Sequence, residues 1–300
     1  MRGYPAMRRL ADPFARTRHL VLAALFSATC LATGRPAIAR PLDEVTASGV
    51  LRVAVYGDNV PFSGEGEIAP RGIDVDLAGA IADRLKLRLD LRVVDAGETV
   101  DGDFRLNLWR GDLAGTPLAD LMLHVPHDRV LATRNEQIFL TTPYFEQRLA
   151  FAYHRDRIEG FEGVRDLEGH AVAVEGMSAS DSLVMNAEGG RYRAGVKHYR
   201  SFDEAAKAYL AGEAPILAGT RAGIEAALSG AGASRENNPV VEVPMPGIVR
   251  TRWDLGGAVR SDSRDLAYAV GDALAALATE GRLKAICDAY GVTYSAPQGY

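Results

Sequence analysis

Three side chains near the middle of the chain have the spacing of a metal site. His124 and His127 are separated by two residues, and Asp128 follows directly. On a helix this His-x-x-His spacing would place both imidazoles on one face, where a zinc ion could bind them. Pro126 lies between them, and a residue before a proline is disfavoured in the helical conformation. We therefore predict that no metal binds here and that the protein needs no cofactor.

The other candidates for catalysis have no recognisable partners. Cys287 follows the apolar helical positions Leu283 and Ile286 and has no visible base, which favours a buried structural thiol over a nucleophile. Glu146 and Glu175 could supply the paired carboxylates of a dehydratase, but no motif joins them. No Gly-x-Ser-x-Gly, phosphate-binding loop or dinucleotide fingerprint is present. These patterns predict a protein that is not an enzyme.

The elements that would position a binding site begin with a βαβ unit. An apolar run at 51–55 predicts a short buried strand that ends in a turn rich in Gly, Asp, Asn and Pro. A helical pattern starts near Asp74 with apolar residues on one face, and a strand is predicted at 89–94. Ligands of such folds bind at the carboxyl ends of the strands. Further strands are predicted at 118–125, 148–153, 171–174, 215–218, 240–243 and 256–259, and helices at 179–187, 202–211, 221–228, 264–279 and 281–290.

The order of these pieces resembles a known family. Ser48–Val55, Pro61-Phe62 and Gly72–Ala78 are similar to the opening of bacterial extracellular solute-binding protein family 3, the amino-acid-binding type. TTPYF, from Thr141, is similar to the segment where members first cross between lobes, and VRDLEGHAVAVEGMSASDSL, from Val164, to the segment that opens the second lobe. The resemblance covers nearly all of residues 48–292.

This resemblance implies an α/β fold of the periplasmic-binding-protein-like type II. Two α/β lobes would be joined by two crossover strands, with residues 48–143 and 254–300 in lobe 1 and residues 149–249 in lobe 2. A solute would lie in the cleft between the lobes, and its contacts with both would select a closed state through a hinge motion.

The resemblance also implies which residues hold the solute. Members bind an α-carboxylate with an arginine of the first lobe and an α-ammonium with an acid of the second. Arg134 has the family spacing to Tyr144, whereas Arg129 lies nearer the end of its strand, so either could be that arginine. Gly219 stands where the acid is expected. We therefore expect weak binding of ordinary amino acids, unless Glu175 replaces the missing acid.

Four more residues fall at positions where the family places its cleft. Tyr56 and Asn59 lie on the first loop, and Met177 and Ser178 lie near the family's glycine-threonine anion site, where a helix start could bind a carboxylate. Trp109 lies in an atypical insert within the polar segment 95–115, which reads as a loop. Tyr56 and Trp109 could instead be ordinary core residues; if both face the cleft, it is broad and largely apolar.

Two short motifs point to a narrower group. D-[LV]-x-[LM]-x-V-P at Asp120–Pro126 and T-T-P-[YF] at Thr141–Tyr144 look like the substrate-binding-like proteins associated with quinoprotein methanol dehydrogenases, above all the partner of the lanthanide-dependent enzyme. The implied role is that of an accessory partner that assists or activates a periplasmic quinoprotein dehydrogenase. The alternative is an ABC-transporter receptor for a small polar organic solute that is not a standard amino acid.

The first 39 residues read as a cleaved signal peptide that directs the chain to the periplasm. A basic region with Arg8 and Arg9 precedes an apolar core at 20–32, which is too short to span a bilayer, and Ala37-Ile38-Ala39 forms a cleavage site. Cleavage removes six of the 34 basic and one of the 39 acidic side chains, leaving 28 and 38 and a formal charge of −10. This charge disfavours nucleic acid and anionic membranes as partners.

Overall fold

The fold predicted from the family resemblance is confirmed by a computed structural model, which describes residues 40–243 and 250–298. The proposed signal peptide lies outside the described residues. So do residues 244–249, at the end of the proposed second lobe. No helix in the described part of the chain is long and apolar enough to cross a membrane.

The opening βαβ unit has nearly the predicted bounds. Strand β1 is Val50–Tyr56, helix α2 is Ile73–Arg84 and strand β2 is Arg88–Val94. The apolar face of α2, including Leu77 and Ile81, packs into the main core cluster. Gly72 directly before α2 has a φ of 141°, and a Cβ there would lie 2.2 Å from the carbonyl oxygen of Phe62. Only glycine fits at this entry to the helix.

The remaining elements follow in chain order. The other helices are α1 Leu42–Ser48, α3 Val100–Phe104, α4 Arg129–Arg134, α5 Ala179–Asn186, α6 Phe202–Leu210, α7 Arg221–Gly230, α8 Arg264–Thr279 and α9 Arg282–Ala289. The other strands are β3 Leu121–Pro126, β4 Ile138–Leu140, β5 Phe145–Tyr153, β6 Val172–Glu175, β7 Val196–Tyr199, β8 Ile216–Thr220, β9 Val240–Val241 and β10 Arg252–Arg260.

One mixed sheet runs through both lobes in the order β2-β1-β3-β10-β5-β8-β6-β7. Strands β5 and β10 are the two crossover strands. The first half of each pairs with the other, from Arg252 opposite Arg148 to Leu255 opposite Phe145. Their second halves diverge, because β5 continues beside β8 and β10 continues beside β3 and β4.

Four apolar clusters fill the two lobes. Two pack against β1, β3 and β10, and two against β5, β6 and β8. Helix α7 contributes Ala222 to the main cluster of the first lobe, although α7 follows a strand of the second. The chain boundaries given above for the lobes stay a prediction.

The segment after the last helix spans both lobes. Thr293 donates its backbone N–H to the buried carboxylate of Glu225 on α7, 2.6 Å away, and Arg221 and Arg235 donate to the same carboxylate at 3.0 Å. Burial acts to raise the pKa of Glu225, but the hydrogen bonds from Arg235, Thr293 and Arg221 outweigh it and leave the pKa below its ordinary value. These contacts tie α7 to the C-terminal segment beside the crossover strands.

Candidate functional site

The carboxyl ends of the parallel strands form the candidate site. Strand β1 runs parallel to β3 in the first lobe, and β6 runs parallel to β8 in the second. Each of these strands is followed by a loop or a helix start, and side chains from such positions converge at one edge of a sheet. Of the residues predicted to contact a ligand, Tyr56, Asn59, Arg129, Glu175, Met177, Ser178 and Gly219 lie on or directly after these strand ends.

Glu175 is the last residue of β6 and is half-buried. Burial raises the pKa of its carboxyl above the ordinary value, and the negative charge of Asp58, two residues after β1, raises it further. Asp58 follows β1 and Glu175 ends β6, so the two charges come from strands on opposite sides of the crossover pair β10-β5. Neither carboxylate has an ion pair or a side-chain hydrogen bond with any residue of the described chain.

The loop after β1 holds two further polar groups without partners. The amide nitrogen Nδ2 of Asn59 and the hydroxyl of Ser63 are buried, and neither forms a hydrogen bond within the described chain. The backbone of this loop forms hydrogen bonds within itself, such as the Asn59 N–H donating to the Ser63 carbonyl at 2.8 Å. A buried polar group without a partner is costly, so these groups favour a polar occupant beside them.

Tyr56 and Trp109 both pack against the apolar core of the first lobe. Both are partly buried against the cluster that contains Phe104 and Leu108. The Tyr56 hydroxyl donates to Asp103 at 2.9 Å, and Trp109 ends a π-helical turn, Arg105–Trp109, in the segment read from sequence as a loop. This packing fits the alternative that Tyr56 and Trp109 are ordinary core residues. The other alternative, that both line a broad and largely apolar cleft, stays a prediction.

The two candidate arginines lie at opposite ends of α4. Arg134, at its carboxyl end, is exposed and pairs with Asp101 at 3.0 Å. Arg129, at its amino end, is exposed and has no ion pair among the described residues. Its neighbour Asp128 caps α4 and pairs with Arg250 at 2.5 Å. Of the two, Arg129 is the one beside a strand end and free of a competing acid.

Gly219 is buried in β8, with the ring of Phe202 at the place of its missing side chain. A Cβ on Gly219 would lie 2.3 Å from Cε2 of Phe202, far inside van der Waals contact. Phe202 begins α6, directly after its Ser201 cap. The glycine is therefore required by packing, and the site has no acid at this position.

Met177 and Ser178 form the start of α5. Met177 is fully exposed with a φ of 63°, and Ser178 caps the helix by accepting from the Asp181 N–H. The Asp181 carboxylate accepts in turn from the Met177 N–H at 2.8 Å and contacts Nε2 of His198 at 2.9 Å. This helix start already holds a negative charge of its own, which disfavours a second anion.

The groups considered for metal binding or nucleophilic chemistry include His124, His127 and Cys287. No cluster of three or more His, Cys, Asp or Glu able to hold a metal occurs among the described residues. Burial lowers the pKa of His127 below its ordinary value, although the charge of Asp254 acts in the opposite direction. Cys287 is buried, and this burial raises the pKa of its thiol to about 12, so the thiolate nucleophile is suppressed.

Sequence reasoning missed three residues that shape the site. Asp58 lies between Tyr56 and Asn59, both of which it considered, so its position on the first loop was the available signal. Asp181 stands three residues after Ser178 in the Ser-x-x-Asp pattern of a helix start, which was the available signal. Phe202 matters through its contact with Gly219, 17 positions later, and no local pattern indicates that contact.

Comparison with known proteins identifies the fold. An ancestral cationic amino acid solute-binding protein matches with a TM-score of 0.66 at 20% identity, over 83% of this chain and 99% of the other. An amino acid ABC transporter substrate-binding protein from Streptococcus pneumoniae, bound to L-arginine, matches with a TM-score of 0.59 at 20% identity, over 84% and 98%. An ancestral amino-acid-binding protein described as a precursor of cyclohexadienyl dehydratase matches with a TM-score of 0.57 at 20% identity, over 83% and 99%.

These matches define the class of fold as that of the type II solute-binding proteins. No protein-family model matches the chain, and no curated protein matches it. Nothing in the comparisons supports the narrower likeness to proteins associated with methanol dehydrogenases.

Proposed function

We propose that the protein is a periplasmic receptor that binds a small cationic organic solute between its lobes and delivers it to an ABC permease. The observation that carries this proposal is the pair Asp58 and Glu175. The two carboxylates come from opposite lobes, are near enough to affect each other and have no cationic partner in the described chain.

A cation between the two carboxylates would remove their mutual repulsion. Charge-assisted hydrogen bonds from an ammonium or a guanidinium are stronger than neutral ones, and a solute held from both lobes stabilises their closed arrangement. The absence of an acid at Gly219 and the negative charge already present at the start of α5 argue against the usual way of binding an amino acid. An organic cation without an α-carboxylate fits these features better than a zwitterion.

The fold supports the transport part of the proposal. Receptors with this architecture deliver solutes to ABC permeases, and the S. pneumoniae match is described as an ABC transporter protein. The dehydrogenase reading rests on two short motifs alone, and no structural observation adds to it.

A thermal-shift panel tests the class of solute. A solute at a hundred times its Kd stabilises the folded protein by about 2.7 kcal/mol, which raises the Tm of a chain of this size by roughly 5–10 °C. We expect this rise with agmatine or putrescine, a smaller one with L-arginine, and none with succinate or L-glutamate. A rise with the dicarboxylates and none with the amines would reject a cation site.

A further inference from the structure

His124 lies in a β-bulge that redirects its side chain. The pairing of β3 with β10 shifts by one residue between Met122 and Val125. His124, within this shift, has a φ of 61°, a left-handed conformation that is uncommon for residues other than glycine, asparagine, aspartate and histidine. As a result Leu123 and His124 both turn towards α2, since Leu123 packs in the main cluster with the apolar face of α2 and His124 contacts Asp74 of α2. Strained residues in bulges persist where the surrounding structure holds them, and they are frequent at functional sites.

Asp74 and Tyr144 hold the imidazole in one orientation. Nδ1 of His124 lies 3.0 Å from Oδ2 of the fully buried Asp74. The Tyr144 hydroxyl donates to the other carboxylate oxygen of Asp74 at 2.5 Å and accepts from the His124 backbone N–H at 3.2 Å. The Phe62 ring packs edge-on against the imidazole at 4.5 Å. A carboxylate cannot donate, so the contact with Asp74 places a proton on Nδ1.

The other imidazole nitrogen remains available. Nε2 forms no hydrogen bond within the described chain, and it is not among the side-chain atoms that are both buried and unpartnered. The side chain is 16% exposed, and its Nδ1 edge faces a carboxylate with no exposure, so the Nε2 side is the one that reaches the surface. In the neutral form of His124, with its proton on Nδ1, the imidazole presents a lone pair at Nε2, whereas the imidazolium form would donate there.

This lone pair lies at the same sheet edge as the candidate cation site. Ala54 of β1 is aligned with Met122 of β3, so Tyr56 and His124 are at about the same level, with Asp58 two residues further along. Phe62, which packs against the imidazole, belongs to the same loop as Asp58.

We propose that Nε2 of His124 accepts a hydrogen bond from an N–H group of the cationic solute, and that Asp74 and Tyr144 position the imidazole for this contact. The inference rests on the proposed function and specifies which class of cation the site prefers. Two carboxylates attract any cation and accept hydrogen bonds from those that carry N–H groups, and a third acceptor at Nε2 strengthens the preference for primary amines and guanidines over quaternary ammonium ions.

Two substitutions of His124 test the contacts of its two ring nitrogens separately. Asparagine tolerates a positive φ, and in His124→Asn its amide can still donate to Asp74 while the Nε2 contact is lost. In His124→Gln the amide oxygen reaches towards the place of Nε2, while the contact with Asp74 is lost. Calorimetry with agmatine should show at least a tenfold weaker Kd for His124→Asn, with an unchanged Tm of the free protein, and a smaller loss of affinity for His124→Gln.

The possible outcomes are distinct. If the wild-type protein binds agmatine and His124→Asn binds it equally well, the role of His124 is wrong and the cation site stands. If the wild-type protein binds neither agmatine nor putrescine, the proposed function fails and this inference fails with it. Should His124→Asn not fold, choline replaces the variant. Choline has no N–H and should bind the wild-type protein at least tenfold more weakly than agmatine, and equal affinities would overturn the proposal.

Discussion

Replacement of Arg40 by methionine is expected to lower the free energy of unfolding by about 3–5 kcal/mol, because it removes the cation that forms an ion pair with a buried carboxylate. The side chain of Asp120 has no solvent exposure. Arg40 donates to it twice, from Nε at 3.0 Å and from Nη2 at 2.6 Å, and also donates to the Val50 carbonyl at 2.9 Å. Urea unfolding of the chain beginning at Arg40 measures the loss.

Arg84→Met is the matched control for this prediction. Arg84 pairs with Glu280 at the same distance of 2.6 Å, but the two side chains are 41% and 51% exposed. An exposed pair contributes about 0–1 kcal/mol, so this variant should remain close to the wild type. Equal losses in the free energy of unfolding from both variants would show that burial does not make the Arg40 ion pair more stabilising than an exposed one. Arg40 is also the first residue after the predicted cleavage site, so the predicted mature chain begins with this contact.

Gly219→Ala is expected to cost about 1–3 kcal/mol, because its methyl group would overlap the ring of Phe202. The ideal Cβ lies 2.3 Å from Cε2 of that ring. The ring of Phe202, which is half-buried, must therefore shift to accept the methyl group. Gly230→Ala on α7 is the control, since no heavy atom lies within 4 Å of its Cβ and alanine favours a helix.

A double variant tests whether the ring is the cause. If Gly219→Ala is combined with Phe202→Leu, the smaller side chain should accept the methyl group, and the combined loss should be smaller than the sum of the two single losses. Additive losses would mean that Phe202 is not what excludes a side chain at residue 219.

The sequence predicted the elements with strong periodicity and missed those decided by tertiary contacts. Helix α8 has the predicted bounds, Arg264–Thr279, because its apolar positions repeat every three to four residues over 16 residues. The short helix α3 and the π-helical turn after it lie in a segment rich in polar residues and glycine, which reads as a loop. The bulge at His124 depends on pairing with a strand 130 residues later, and no local pattern indicates it.

The positions of the candidate site residues stay predictions, and the structure adds contacts that the sequence does not contain. Glu175 was considered as a replacement for the acid that the family resemblance implies at residue 219. Asp58, whose charge acts on Glu175, lies more than a hundred residues earlier in the sequence. His124 was noticed for a metal-like spacing, whereas the structure pairs it with Asp74 and Tyr144. Which charged groups lack a partner is a property of the folded chain, and this property narrows the proposed solute from a small polar molecule that is not a standard amino acid to an organic cation.

Calorimetric titration of agmatine into the wild-type protein and into Glu175→Gln tests the account most directly. Glu213→Gln serves as the control, because Glu213 is an exposed acid before β8 whose side chain forms no ion pair in the described residues. We expect the loss of the Glu175 charge to weaken binding at least tenfold, about 1.4 kcal/mol, and the loss of the Glu213 charge to leave Kd unchanged. Equal Kd values for the wild type and Glu175→Gln would contradict a cation site between the lobes.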